Sequence, residues 1–153
     1  MLRIALLFLI TFSLNIGYSQ KKPAYALYNS KGKKVSYKKL VKNAEKSDVI
    51  LFGEEHNNTI AHWLQLELTQ KLGEDNQLVL GAEMFERDNQ DELNDYLNGT
   101  IDAEELDSVA RLWINYPTDY APLVDYAKEN GLIFVATNIP RRFANLVYKK
   151  GVE

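Results

Sequence analysis

The chain has 153 residues, which is about one domain. It has no cysteine, so disulfides, thiolate nucleophiles and thiolate metal sites are excluded. Its formal net charge of -3, one unit more negative once Arg3 of the leader below is set aside, argues against general nucleic-acid binding.

Residues 1–19 read as a secretory signal peptide. Met1-Leu2-Arg3 is a short positive start, Ile4 to Leu14 is almost wholly apolar, and Gly17-Tyr18-Ser19 supplies small residues for a cut after Ser19. The apolar run is too short to span a membrane comfortably. No cysteine follows it, so a lipid anchor on the mature N-terminus near Gln20 is excluded. Residues 20–153 then form one domain of uneven charge. Lys21 to Lys46 holds nine lysines and one acid, Glu45, and the rest is acidic. The basic stretch is either a solvated face or a contact for anionic head groups or carboxylates.

Tyr25-Ala-Leu-Tyr28 and Val35-Ser-Tyr37, around Asn29-Ser-Lys-Gly32, predict a small β-hairpin. Ser36 caps a helix to about Lys46, with Leu40, Val41 and Ala44 on one face. Asp48 to Gly53 predicts the first parallel strand. Asn57, Asn58 and Thr59 are cap candidates for a helix to about Leu72, stopped by Gly73. Gln77 to Met84 predicts the second strand, and Asp88 to Leu97 a shorter amphipathic helix. Ile101 to Trp113 reads as helix with Asp102 as cap, Pro117 interrupts, and Tyr120 to Asn130 is the next helix. Leu132 to Thr137 predicts the third strand, and Pro140 opens a last helix, Arg141 to Lys150. The order predicts an α/β fold, a mostly parallel sheet with helices on both faces after the hairpin. Three strands leave an unpaired edge, so the chain is expected to be the N-terminal part of a larger domain, with a second chain over that edge as the alternative.

Val49-Ile-Leu-Phe-Gly-Glu-Glu-His56 carries the chemistry: a buried-strand pattern, a glycine, then two carboxylates and an imidazole. Gln77-Leu-Val-Leu-Gly-Ala-Glu83-Met-Phe-Glu86 repeats the pattern. Parallel strands open their carboxyl ends into one crevice, so Glu55, His56 and Glu83 are expected to meet there. A histidine among carboxylates suits a divalent metal or acid–base work, with Glu54 completing an oxygen-rich set. If the chain is an enzyme, Glu55, His56 and Glu83 are its catalytic candidates, and His56 and Glu83 its metal ligands. His62 has a poor helical spacing from His56 and is expected to be structural. Asn138, Arg141 and Arg142 fall at the same sheet edge, and guanidinium forks recognise carboxylate or phosphate. The tract from Trp113 to Tyr120, with Tyr116 and Tyr120, reads either as core or as the lining for a flat ligand.

These motifs resemble the ChaN-like haem-binding uptake family of the Tiki-like superfamily. The resemblance runs through Val49 to His56, Leu78 to Glu86, Trp113-x-x-Tyr116-x-x-x-Tyr120-x-Pro122-Leu123, Ala127 to Gly131 and Asn138 to Arg142. It implies an exported haem-binding protein of iron acquisition, in the periplasm or cell envelope. Two subunits would associate around the haem, and an outer-membrane haem receptor would be a further partner. Arg141 and Arg142 would pair with propionates, and Tyr116 and Tyr120 would flank the ring. Tyr116, Tyr120, Tyr126 and Tyr148 are phenolate candidates for the iron. Without cysteine, haem would be held non-covalently. The superfamily's metallopeptidases imply the alternative, a metal-dependent hydrolase using His56 and Glu83 with a divalent ion. Their second Gly-x-x-His is absent from this sequence.

Overall fold

The computed structural model describes residues 23–152, so the leader reading lies outside the described residues. Strands β1 (Leu27–Tyr28) and β2 (Lys34–Val35) form the antiparallel hairpin. Its turn is held by Asn29, whose side chain accepts from the amides of Lys31 and Lys33 at 3.0 Å each. Gly32 takes the left-handed φ of 70° that the turn requires. Ser36 accepts from the Lys39 amide and opens helix α1, Tyr37–Ala44. Asn58 caps helix α2, Thr59–Gly73, by accepting from the Ile60 and Ala61 amides at 3.1 Å.

Strand β3 (Val79–Glu86) leads through a short 3-10 turn, Arg87–Asn89, into helix α3 (Gln90–Leu97). Helix α4 (Ala103–Val109) begins in a capping box of Asp102 and Glu105. A π-helical turn over Tyr116–Tyr120 runs into helix α5, Ala121–Glu129. Strand β4 (Ile133–Asn138) pairs parallel with β3, and helix α6 (Arg141–Lys150) follows. The fold is therefore α/β, as the alternating order predicts.

Alternation along the strands turns Leu80, Ala82, Met84, Phe134 and Ala136 into the main core, with Leu93, Leu106, Leu123 and Val124 from the helices. Phe85 joins them edge-on to Tyr116 and Phe134, with ring centroids 5.8 and 5.9 Å away. The β3–β4 register slips between Ala82 and Glu86. Met84, Phe85 and Glu86 are consequently all buried, so the irregularity carries a carboxylate into the interior. Gln90 clamps β4: its amide donates to Phe134 O (2.9 Å) and accepts from Ala136 N (2.8 Å). Those are the bonds a neighbouring strand would make.

Two expectations change. Asp48 to Gly53 is not a strand: among the described residues the parallel sheet is the β3–β4 pair. Phe52 packs with Val41, Leu68 and Leu72, but Val49 is 74% and Leu51 92% exposed. An apolar run signals a strand only where a neighbour completes its hydrogen bonds, and this run has none among the described residues. The helix expected to Trp113 stops at Val109, and Ala110 is extended (φ -93°, ψ 152°). The Arg111 amide donates instead to Asn89 Oδ1 at 3.4 Å, and the Arg111 side chain goes to the buried Glu86.

Candidate functional site

The chain leaves Gly53 with the Glu54 side chain turned inward, 11% exposed, and those of Glu55 and His56 turned out. Glu54 is the hub. Its Oε1 accepts from the Tyr120 hydroxyl at 2.7 Å and lies 3.1 Å from Nδ1 of His56. With Nδ1–H donating to Glu54, Nε2 of His56 is left as an acceptor, 4.0 Å from Glu83 Oε1. Oε2 of Glu54 lies 2.5 Å from Nδ1 of His62. That contact is close but off the N–H axis, so these two buried atoms lack an aligned hydrogen bond.

His62 therefore belongs to the same cluster as His56, despite their spacing. A turn closed by the Asn58 amide on Glu55 O (2.9 Å) folds the chain back over the start of α2. His56 O then lies 3.2 Å from Nε2 of His62. Asn115 seals the fold-back, its amide group donating to His56 O and to Asp119 Oδ2 at 2.8 Å each. His56, Trp113, Tyr120 and His62 form a series of T-shaped, edge-to-face contacts, with successive centroids 4.7 to 5.5 Å apart.

Beside this cluster lies an open cleft of about 540 Å³. His56, Arg111, Trp113, Asn115 and Arg141 line it, and no carboxylate does among the described lining residues. Two of its lining residues, Arg111 and Arg141, are anchored on the buried Glu86. Arg111 reaches Glu86 Oε2 through Nε at 3.2 Å and Nη2 at 3.1 Å. The Arg141 amide donates to the same oxygen at 2.7 Å, so Glu86 caps α6 from the end of β3. Asp88 pairs with Arg111 and Arg142.

The structure thus brings His56 and Glu83 together, with Arg141 on the same cleft, and leaves Glu55 exposed. Arg142 is on Asp88, and its guanidinium carbon is 4.7 Å from the Phe143 ring centroid. Consecutive helical residues diverge by about 100°, which separates it from Arg141. Tyr116 and Tyr120 are core residues, 6% and 2% exposed. Among the described residues no three His, Asp or Glu side chains converge to hold a metal ion. A divalent-metal centre built on His56 and Glu83 lacks a third ligand there. Sequence spacing does not single out Arg111, Asp119, Asn115 or Glu86 as site residues. Glu86 alone carried a local signal, as the second acid after a β-type run.

Burial, then the bond to Glu54, raises the Tyr120 phenol above its ordinary value, and burial raises that of Tyr116. Both are thereby held as phenols. Burial and a 2.6 Å hydrogen bond to Asp125 push Tyr96 up to about 12. A raised folded-state value favours folding below the ordinary value of 10.0, and that stability is lost as pH climbs through about 12. The denaturant midpoint should fall over that alkaline window, and less steeply in Tyr96→Phe. Parallel slopes for the variant and the parent would contradict this.

Comparison with known proteins gives three matches. The model of the family described as haem-binding uptake, Tiki superfamily, ChaN matches residues 40–153. Protein RETICULATA-RELATED 5, chloroplastic, of Arabidopsis thaliana is 32% identical over 96 residues, which is 59% of this chain and 13% of that protein. A solved structure titled as cofacial heme binding to ChaN of Campylobacter jejuni superposes with a TM-score of 0.68 at 22% identity, and the match speaks for the fold. It covers 84% of this chain and 54% of that one, so the chain spans about half of the solved relative.

Proposed function

The chain belongs to the ChaN haem-binding uptake family of the Tiki superfamily, and from that membership we propose that it binds haem non-covalently in the cleft beside His56. The observation that carries this reading is the cleft's composition. Two guanidiniums, an imidazole and an indole surround an open space with no carboxylate among its described lining residues. Such a surface suits a flat aromatic ligand bearing negative charge. Trp113 offers a ring face or edge, and Nε2 of His56 is a nitrogen donor on the open side. Haem would supply the iron, while this chain's residues bind and orient the ring. The wider role is haem or iron acquisition after export, with two copies associating around the ligand and an outer-membrane receptor as the upstream source. The apolar start of the sequence supports export.

Haemin titration followed at the Soret band tests the reading. The parent should give a saturable red-shifted band, and Trp113→Ala should weaken affinity by about tenfold, as expected for a lost aromatic contact of about 1.4 kcal/mol. A parent chain that leaves the haemin spectrum unchanged would sink the proposal. Sedimentation of the same samples tests association, since haemin should convert monomer to dimer.

A further inference from the structure

We propose that Arg111 and Arg141 form the carboxylate-reading fork of this cleft, held in place by Glu86, an assignment that rests on the haem reading above. The fork is assembled from three elements: the end of β3, the segment after α4 and the start of α6. One buried carboxylate anchors both side chains. Arg111 meets Glu86 Oε2, and Nε of Arg141 lies 3.8 Å from Oε1. Yet neither guanidinium is consumed. Arg111 is 49% and Arg141 72% exposed at the side chain. Among the described residues, neither Nη1 of Arg111 nor either Nη atom of Arg141 donates a hydrogen bond to a carboxylate.

The charge balance points the same way. Three guanidiniums (Arg111, Arg141, Arg142) meet two carboxylates (Glu86, Asp88) in this network. Here one positive charge is left over, and Arg111 and Arg141 present it to the cleft, while Arg142 stays with Asp88. A planar fork with spare N–H donors matches a carboxylate two bonds at a time, which a lysine cannot do. The ligand class is a flat ring carrying carboxylates, and the two arginines read those carboxylates rather than the ring. Glu86 is a positioning residue, since it acts through the guanidiniums.

The full chain is titrated with haemin and with haemin dimethyl ester, which keeps the ring and iron but lacks the negative charges. Arg111→Gln should weaken haemin binding by about tenfold or more, and leave the ester within about threefold of the parent. Arg111→Lys keeps the charge beside Glu86, and it decides the matter if the glutamine variant does not fold. It should still weaken haemin and spare the ester. Arg142→Gln should change haemin affinity less than about threefold. Haemin binding by Arg111→Lys equal to the parent's overturns the fork, as does an equal loss of both ligands or an Arg142 effect matching that of Arg111. A parent that binds neither ligand overturns the haem reading itself, and the fork with it.

Discussion

Glu54→Ala is expected to lower stability by about 3 kcal/mol, since it strips a buried hydroxyl of its acceptor and leaves a cavity in a packed cluster. Glu54 is 11% exposed and contacts three side chains, of which those of Tyr120 and His62 are buried and that of His56 is half exposed. The Tyr120 hydroxyl, on a residue 2% exposed, loses its acceptor. Nδ1 of His62 loses its close contact with Glu54 Oε2, and Nδ1 of His56 loses the contact that fixes its ring. For a chain of this size the melting temperature should drop by roughly 10 °C, at about 2–4 °C per kcal/mol. Glu54→Gln keeps the volume and an acceptor for Tyr120, so it should be milder. Nitrogen chemical shifts of the His56 ring separate orientation from stability: Glu54→Gln should move them even while folded. An alanine variant melting within about 2 °C of the parent would remove Glu54 from the centre of the cluster.

Phe85→Ala is expected to be at least as damaging, at about 3–5 kcal/mol, by loss of burial and by the cavity left behind. The ring is 1% exposed and sits edge-on between Tyr116 and Phe134. It also stands at the register slip of β3, flanked by Glu83 two residues before and Glu86 one residue after. The cavity should therefore loosen the strand end that carries both carboxylates. Phe85→Leu fills most of the space and should cost less, about 1 kcal/mol. Chemical denaturation of the three proteins is the measurement, and an alanine variant within about 1 kcal/mol of the parent would show that the wedge is dispensable.

The legible parts of this fold are those decided within a few residues. Ser36 and Asp102 cap the helices they are expected to cap, and Asn58 is the one of three candidates that caps α2, since a side chain reaching an amide two or three positions on needs nothing from the rest of the chain. The parallel strands fall within two residues of their expected bounds, because β-type runs ended by glycine and polar residues mark them locally. The strand expected at Asp48 to Gly53 was not decided this way. Its apolar run is real, but strand pairing is a property of two segments, and only one of them is written there.

The site divides along the same line. Sequence alone put His56 and Glu83 at the ends of successive segments, and the structure brings them to 4.0 Å. It also singled out Arg141, which lines the cleft. It had no means of choosing Glu54 over Glu55, because which neighbour turns inward depends on Tyr120, 66 positions away. Arg111 was invisible for the same reason, since its partner Glu86 lies 25 positions earlier. Tyr116 and Tyr120 read equally as lining or as core until packing buried them. Caps, turns and apolar periodicity are local free energies, and the sequence by itself determined them. The hub, the fork and the direction of each side chain depend on contacts closed across long loops, and only the tertiary structure decided those.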